Sequence, residues 1–338
     1  MGRECCSGEA VAHPNIALIK YWGKRDEEFM LPMTSSLSMT LDIFPTTTTV
    51  EVGPTGGGVG PDIVMMAGKP APEAFSTRVT EFLDLLRARV KSRAPAIVDT
   101  HNAGPTGAGL ASSASGFAAL AAAACAAYGL DTDARELSRL ARRGSGSASR
   151  SVFGGFSVWH AGAAIGADGD AQSYAEPIDV ALDLALVVVV VEAGAKQISS
   201  RAAMSQTVKT SPLYRAWADA SGDDLHAMQA ALATGDLHGA GAIAEANAMG
   251  MHATMLAARP AVRYISAASL QVIDRVVAMR GDGIAAYLTM DAGPNVKVLC
   301  SRDDAALIAA SLKELSQVQT VVVAHPGPGV ALVEKATR

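Results

Sequence analysis

The sequence predicts a protein of mixed strands and helices, organised as one large domain or two. The chain has 338 residues, which is enough material for a sizeable core. Its composition, 49% hydrophobic and 18% charged, is ordinary for a globular protein. Segments rich in valine and threonine alternate with segments whose apolar residues recur at helical spacing.

The first hundred residues predict four strands and one helix. Val11–Lys20 is predicted as a strand that runs into a turn. Leu31–Asp42 alternates hydroxyl and apolar residues as a half-buried strand does. Thr46–Val52 favours a strand by composition. The apolar positions of Phe75–Val90 follow a helical period, and Ala96–Asn102 is a short strand.

A glycine-rich loop, Pro105–Gly116, precedes the alanine-rich run Phe117–Ala127, which strongly favours a helix. The first N–H groups of a helix are unpaired and its dipole is positive there, so the loop suits a phosphate group. Ser112 or Ser113 is expected to cap the helix. The spacing matches neither the Lys-Ser/Thr phosphate loop nor the dinucleotide fingerprint. On these residues alone, a loop that only caps a buried helix is an equal alternative.

A second Gly/Ser segment, Arg142–Gly155, follows a predicted helix over Asp131–Arg143 that Asp131 or Thr132 is expected to cap. This segment contains three arginines and is a second candidate for binding an anion.

The rest of the chain predicts a second domain. After a strand at Phe156–His160 and a loop at 161–170, the domain change is expected near residue 180. Leu182–Val191 has the composition of a buried strand, and helical patterns dominate from about 200 to 279. Strands are predicted at Gly283–Met290 and Gln319–Ala324, with a helix at Ala305–Leu315.

Charge and targeting signals exclude several functions. A net charge of −5 argues against a nucleic-acid surface. No window reaches the ~18 apolar residues of a membrane span, and the N-terminus lacks an apolar signal core, so a cytoplasmic protein without a membrane partner is expected. The four cysteines lack metal-ligand spacing and are expected to be free thiols.

Several motifs follow one another in a fixed order: His13–Asp26, Leu31–Leu41, Gly109–Ala119, Arg143–Gly155, Asp291–Asn295 and Pro326–Gly329. Together they resemble the signature of the diphosphomevalonate decarboxylase family, whose phosphate loop is shared more loosely by the GHMP small-molecule kinases. One departure is Met33-Thr34, where many relatives have an asparagine.

The resemblance covers nearly the whole chain. It implies a two-domain α+β GHMP-kinase fold. Residues 1–180 would form a domain like the second domain of ribosomal protein S5, and residues 181–338 an α/β sandwich domain, with the active site in the cleft between them.

The resemblance also implies a reaction, in which ATP-dependent decarboxylation converts mevalonate 5-diphosphate into isopentenyl diphosphate, carbon dioxide, ADP and phosphate. The 3-hydroxyl would be phosphorylated first, ATP would be the co-substrate, and Mg²⁺ would be required. The family is usually a cytosolic homodimer. Phosphomevalonate decarboxylases and mevalonate 3-kinases share much of the pattern. A non-catalytic nucleotide-binding protein would be expected to have lost Lys20 or Asp291, and this chain keeps both.

The resemblance assigns the chemistry to Asp291, Lys20 and Arg150. Asp291 would orient or deprotonate the 3-hydroxyl, Lys20 would keep it ionised, and Arg150 would bind the substrate carboxylate. On the residues alone, the alternatives are a turn-opening aspartate, a solvated lysine and a structural ion pair. His252 is expected to pack a helix.

Further site positions are carried over residue by residue. The expected substrate-binding residues, besides Arg150, are Tyr21, Trp22, Gly23, Lys24, Arg78, Ser145, Gly146, Ser147 and Ser200. The expected ATP-binding residues are Pro105, Gly107, Ala108, Gly109, Leu110, Ala111, Ser112 and Ser113, with Ser112 also a ligand of Mg²⁺.

Overall fold

The computed structural model describes residues 6–53, 60–104, 112–192 and 198–333. Strands and helices are mixed along the whole chain. The strands are β1 (Cys6–Ala12), β2 (Asn15–Ile19), β3 (Lys24–Asp26), β4 (Leu31–Pro32), β5 (Ser36–Thr40), β6 (Thr46–Val52), β7 (Ile63–Met66), β8 (Lys69–Pro70), β9 (Ala96–Asn102), β10 (Phe156–Trp159), β11 (Ala175–Ile178), β12 (Leu184–Val190), β13 (Tyr287–Met290), β14 (Val296–Ser301), β15 (Thr320–Ala324) and β16 (Ala331–Leu332). The helices are α1 (Glu73–Val90), α2 (Ser112–Tyr128), α3 (Ala134–Gly144), α4 (Gly166–Gln172), α5 (Ser200–Thr210), α6 (Tyr214–Thr234), α7 (Leu237–Leu256), α8 (Ala267–Gly281) and α9 (Ala305–Lys313).

The first sheet has the strand order β16-β1-β6-β9-β7-β8 and carries the alanine-rich helix α2. Small side chains let this helix approach the sheet very closely. A Cβ built on Gly8 of β1 would lie 2.2 Å from the Ala123 carbonyl oxygen. The apolar face of α1, with Val79, Phe82 and Leu86, completes the same core. Close packing of α2 thereby fixes where its N-terminus points.

Two further sheets carry the elements that meet at the site. One has the order β11-β10-β5-β2, and the other has the order β13-β14-β12-β15. A shared core joins them, since Ile16 and Leu37 of the former pack in one cluster with Leu186 and Leu299 of the latter. Strand β16 returns to pair with β1, so residues 331–332 lie in the first sheet.

The structure corrects four of the expected elements. The strand β5 is buried on both faces, because Ser36, Ser38 and Thr40 face other polar groups rather than solvent. The predicted loop at 161–170 contains the start of α4. The cap of α3 is neither Asp131 nor Thr132 but Asp133, whose carboxylate accepts from the Glu136 N–H. Strand β14 was not predicted at all, because it directly follows the Gly-Pro turn of the Asp291 motif.

None of the helices in the described ranges combines the length and hydropathy that a membrane crossing requires. Cys125 and Cys300 are buried free thiols, as expected.

Candidate active site

Two strands from different sheets end side by side, and each is followed by a charged residue. Lys20 follows β2, and Asp291 follows β13. The Lys20 Nζ donates to Asp291 Oδ1 at 2.7 Å and to the Ala17 carbonyl at 2.7 Å. On the other side, Lys297 Nζ of β14 lies 3.2 Å from Asp291 Oδ2. One carboxylate is thus held between two ammonium groups.

Burial and the neighbouring charges shift the pKa values of this cluster in opposite directions. The lysine side chains are each 2% exposed, whereas the Asp291 side chain is 30% exposed. Burial would raise the pKa of the Asp291 carboxyl, but the charges of Lys20 and Lys297 outweigh it and hold that pKa far below its usual range. Burial lowers the pKa of Lys20 to about 8, although Asp291 opposes this shift. At neutral pH the carboxylate is therefore fully ionised.

Arg150 lies in the 3-10 helix Gly146–Val152 and is 2% exposed. Its Nε donates to Ser38 Oγ at 2.9 Å, and its Nη1 donates to Ser36 Oγ. Burial lowers its pKa to about 10. Among the described residues no carboxylate forms an ion pair with Arg150. Its guanidinium donates instead to neutral serine hydroxyls. The alternative of a structural ion pair is not supported.

The cleft that contains these groups has a volume of about 330 Å³. It brings together most of the expected site residues from distant parts of the chain: Lys20, Tyr21, Trp22, Lys24, Arg78, Ser113, Ser145, Gly146, Ser147, Arg150, Ser200 and Asp291. Gly23 is not in its lining but forms the turn beside it. Its φ is +111°, and a Cβ there would meet the Tyr214 hydroxyl at 1.8 Å.

Besides Lys20 and Arg150, three cations line the cleft, and we call the part of the lining that contains them the cation-rich end: Lys24, Arg78 and Arg201. Arg78 Nη2 donates to the Gly144 carbonyl at 3.0 Å, and its guanidinium lies 4.9 Å from the centre of the Phe117 ring. Burial and the nearby charge of Arg201 lower the pKa of Arg78. Lys24 also lines the cleft and pairs with the exposed Glu27 at 2.6 Å. Such an excess of positive charge indicates a site for a polyanion.

The predicted phosphate loop is only partly within the described residues. Pro105, Gly107, Ala108, Gly109, Leu110 and Ala111 lie outside them. Ser112 begins α2 and is exposed, and Ser113 lines the cleft with its hydroxyl 3.3 Å from the Ser145 hydroxyl. The start of α2 therefore faces the same cleft as the cations.

Magnesium ions prefer hard oxygen ligands. Within the described ranges, no three His, Cys, Asp or Glu side chains cluster as metal ligands do. Both Asp291 oxygens already face ammonium groups. The described residues therefore fit a magnesium ion only if phosphate oxygens of a bound ligand were to supply most of its ligands.

Sequence reasoning missed the lining residues Asn15 and Arg201. It also missed Lys297, which contacts Asp291 from outside the lining. Lys297 lies two residues beyond the Asp291–Asn295 motif, and only the unpredicted strand β14 directs it back to Asp291. Arg201 directly follows Ser200 and lines the cation-rich end. The apolar lining residues Met30, Met204 and Met251 carried no sequence signal that separates them from ordinary core methionines.

His252 is 2% exposed and lies on α7 near the backbone of Met290 and Asp291. Its Nε2 has no hydrogen-bond partner among the described residues. Burial and the charge of Lys20 lower its pKa to about 4, so the imidazole is neutral at physiological pH. The buried His252 ring packs α7 against the backbone of Met290 and Asp291, in agreement with the helix-packing role expected of it.

Comparisons with known proteins agree with this geometry. A family model described as the diphosphomevalonate decarboxylase-like N-terminal domain matches residues 12–175, and the mevalonate 5-diphosphate decarboxylase C-terminal domain matches residues 186–328. The human diphosphomevalonate decarboxylase is 36% identical over 318 residues, which cover 88% of this chain and 78% of that protein.

Solved structures are similar over almost the whole chain. The mevalonate diphosphate decarboxylase from Enterococcus faecalis is 44% identical with a TM-score of 0.90, over 98% of this chain and 100% of that one. A solved complex of a similar protein with MVAPP, AMPPCP and magnesium is also 44% identical, with a TM-score of 0.91 and the same shares of the two chains covered.

Proposed function

This chain belongs to the diphosphomevalonate decarboxylase family, and we propose that it converts mevalonate 5-diphosphate and ATP into isopentenyl diphosphate, carbon dioxide, ADP and phosphate. The reaction belongs to the mevalonate pathway of isoprenoid precursor synthesis. The observation that carries the proposal is that one cleft is lined by the Lys20–Asp291 pair, by Arg150 with its neutral hydroxyl partners, and by the cation-rich end. Lys297 contacts the other oxygen of Asp291.

Asp291 accepts the hydrogen bond of the substrate 3-hydroxyl and orients its oxygen toward the γ-phosphate of ATP. Because the pKa of Asp291 is strongly depressed, this carboxylate is a weak base in the free protein. Its main contributions are then orientation and negative charge. The hydroxyl proton passes to an oxygen of the transferred phosphoryl group as the new O–P bond forms and the bond to ADP breaks. That charge stabilises the electron-poor carbon which forms as the 3-phosphate leaves.

The Lys20 ammonium group has three protons, and two of them form hydrogen bonds to Asp291 Oδ1 and the Ala17 carbonyl oxygen. The third is available to a transferred phosphoryl group, where a positive charge offsets the developing negative charge. Arg150 binds the substrate carboxylate through its planar guanidinium. When the 3-phosphate leaves C3, the bond between the carboxylate carbon and C2 breaks, its electron pair forms the C2–C3 double bond, and the carboxylate departs as carbon dioxide.

The 5-diphosphate occupies the cation-rich end, with Lys24, Arg78 and Arg201 as its charged partners. Hydroxyl donors there come from Tyr21, Ser145, Ser147 and Ser200. Burial raises the pKa of Tyr21 well above its usual range, so its phenol stays protonated and donates. Three cations match the charge of a diphosphate better than that of a monophosphate, which disfavours the phosphomevalonate decarboxylase alternative.

ATP binds with its phosphates at the N-terminus of α2, where Ser113 and the expected loop at 105–111 provide donors. Magnesium, held there by phosphate oxygens and the Ser112 or Ser113 hydroxyl, would neutralise charge on the transferred phosphoryl group.

Three further parts of the proposal rest on the family alone. The protein is a cytoplasmic homodimer, and its domains divide near residue 180. A dimer of the 34.6 kDa chain would have a mass of about 69 kDa, twice that value, by light scattering.

The function is tested by incubating the purified protein with ATP, Mg²⁺ and either mevalonate, its 5-phosphate or its 5-diphosphate. Equal release of ADP and carbon dioxide from the diphosphate alone is expected. Carbon dioxide chiefly from the monophosphate would instead identify the sister decarboxylase. ADP without carbon dioxide would identify a 3-kinase and contradict the assigned decarboxylation.

A further inference from the structure

Helix α7 packs against both strands that lead to the charged cluster, β2 and β13. Its central residue, Asn247, is 1% exposed and does not line the cleft. The Asn247 Oδ1 accepts a hydrogen bond from the Lys20 backbone N–H at 2.9 Å. This contact joins residues 227 positions apart in the sequence.

The other atoms of Asn247 are also paired. Its Nδ2 donates to Asp224 Oδ2 at 2.8 Å and to Ser221 Oγ at 3.2 Å. Its backbone carbonyl accepts from Trp217 Nε1 at 3.0 Å. These partners fix the orientation of the amide, because a flipped amide would place its NH₂ against the Lys20 N–H and its oxygen against a carboxylate.

We propose that Asn247 is a positioning residue for Lys20, which it holds at hydrogen-bond distance from Asp291 by anchoring the backbone where β2 ends. The inference rests on the proposed function for its effect on turnover. A buried N–H requires an acceptor, and an acceptor on a helix fixes the Lys20 Cα without touching the substrate. The ammonium group then reaches Asp291 without having to order a mobile loop.

Only an amide side chain satisfies all the partners at position 247. Asparagine offers one acceptor to the Lys20 N–H and two donors to Ser221 and Asp224 of α6, whereas an aspartate would place a second carboxylate beside Asp224. A leucine of similar size would leave the Lys20 N–H and the Asp224 carboxylate without this partner.

The decisive variant is Asn247→Ala. We expect kcat to fall by roughly 10–100-fold, because a displacement of about 1 Å is enough for such a loss. The KM for mevalonate 5-diphosphate should change by less than about threefold, because the diphosphate contacts are elsewhere. A loosened contact with Asp291 should also lower the pKa of Lys20, since Asp291 opposes the downward shift that burial causes.

Ser221→Ala is the matched control, since it removes an outer partner of Asn247 but leaves the acceptor of Lys20. It should lower the melting temperature without changing kcat. The exchange variant Asn247→Asp with Asp224→Asn keeps an acceptor for Lys20 and moves the negative charge closer to it. That variant should retain activity within about tenfold of the wild type and raise the pKa of Lys20.

The pKa of Lys20 can be measured without turnover, from competitive acetylation of its ε-amine at several pH values followed by mass spectrometry. The groups that face this amine are Asp291, Lys297, Arg150 and His252. An unchanged Lys20 pKa and kcat in Asn247→Ala would overturn the inference. If that variant does not fold, an exchange variant that folds with an unshifted Lys20 pKa overturns it equally. A wild-type protein without decarboxylase activity, but with the expected pKa shifts, would refute the proposed function and leave the positioning role intact.

Discussion

Asp291 is the one carboxylate in the described lining of the cleft, and it faces two lysines. We expect Asp291→Asn to lower kcat by about 10²–10⁴-fold, because the amide neither carries the charge nor accepts in the same way from both ammonium groups. ADP and carbon dioxide should fall together. Asp183→Asn is the control, since Asp183 forms an exposed pair with Arg302. A loss of carbon dioxide with undiminished ADP would show that Asp291 acts only after phosphorylation.

Lys20 gives the reaction a defined pH dependence. Its pKa in the folded protein is about 8, below the value of 10.5 for a free lysine. The ammonium charge is thus present below about pH 8 and is lost as the pH rises through that value, while Asp291 stays ionised. We expect kcat/KM to fall above about pH 8.

The Lys20→Arg variant provides the control for this pH profile. A guanidinium does not titrate in this range, so the variant should lack the alkaline decline even if its absolute rate is lower. An unchanged decline in Lys20→Arg would assign the titration to another group.

The 3-10 helix Gly146–Val152 begins with a glycine because two aromatic rings leave no room for a side chain. A Cβ on Gly146 would lie 2.9 Å from the Tyr21 ring and 2.9 Å from the Trp159 ring. Gly146→Ala would therefore crowd both rings and shift Tyr21, which lines the cleft. We expect the KM for mevalonate 5-diphosphate to rise about tenfold, measured by steady-state kinetics.

Gly222→Ala is the control, a glycine in a different helix where an added methyl group meets nothing. Gly222 lies in α6 with nothing within 4 Å of an added Cβ. The change should leave KM unaltered and stabilise the protein by roughly 0.5–1 kcal/mol, because alanine favours a helix. An equal rise of KM in both variants would rule out the crowding of Tyr21 as the cause.

The sequence predicted those parts of the fold and site that continuous motifs encode. Helix α1 and strands β6 and β9 follow from local patterns, and the Lys20, Arg150 and Asp291 segments are recognisable as motifs. Lys297 and Asn247 were not predicted. Their roles arise from strand pairing and helix packing between residues far apart in the chain, which no local pattern contains. The buried serines of β5 were misjudged for the same reason, since Arg150 is their partner across 112 or more residues.

At the scale of the whole molecule, the cleft is assembled from both halves of the chain. Lys20 and Arg78 come from the first half, whereas Arg201 and Asp291 come from the second. A ligand that contacts both halves stabilises the whole assembly and not one part of it. At a concentration of about 100 times its dissociation constant, it adds roughly 2.7 kcal/mol to the free energy of unfolding.

We therefore expect mevalonate 5-diphosphate to raise the melting temperature of the protein by roughly 3–6 °C in a thermal-shift experiment without ATP. Mevalonate, which lacks phosphate, should at the same concentration give a rise of less than about 1 °C, because it leaves the cation-rich end unfilled. Arg78→Ala should reduce the rise that the diphosphate causes. Arg78 and Arg201 repel each other in the free protein, and a bound diphosphate relieves that repulsion only when both are present. An equal rise with mevalonate would mean that these cations do not bind the phosphate groups. A rise confined to one of two separate transitions would mean that the ligand contacts only one half.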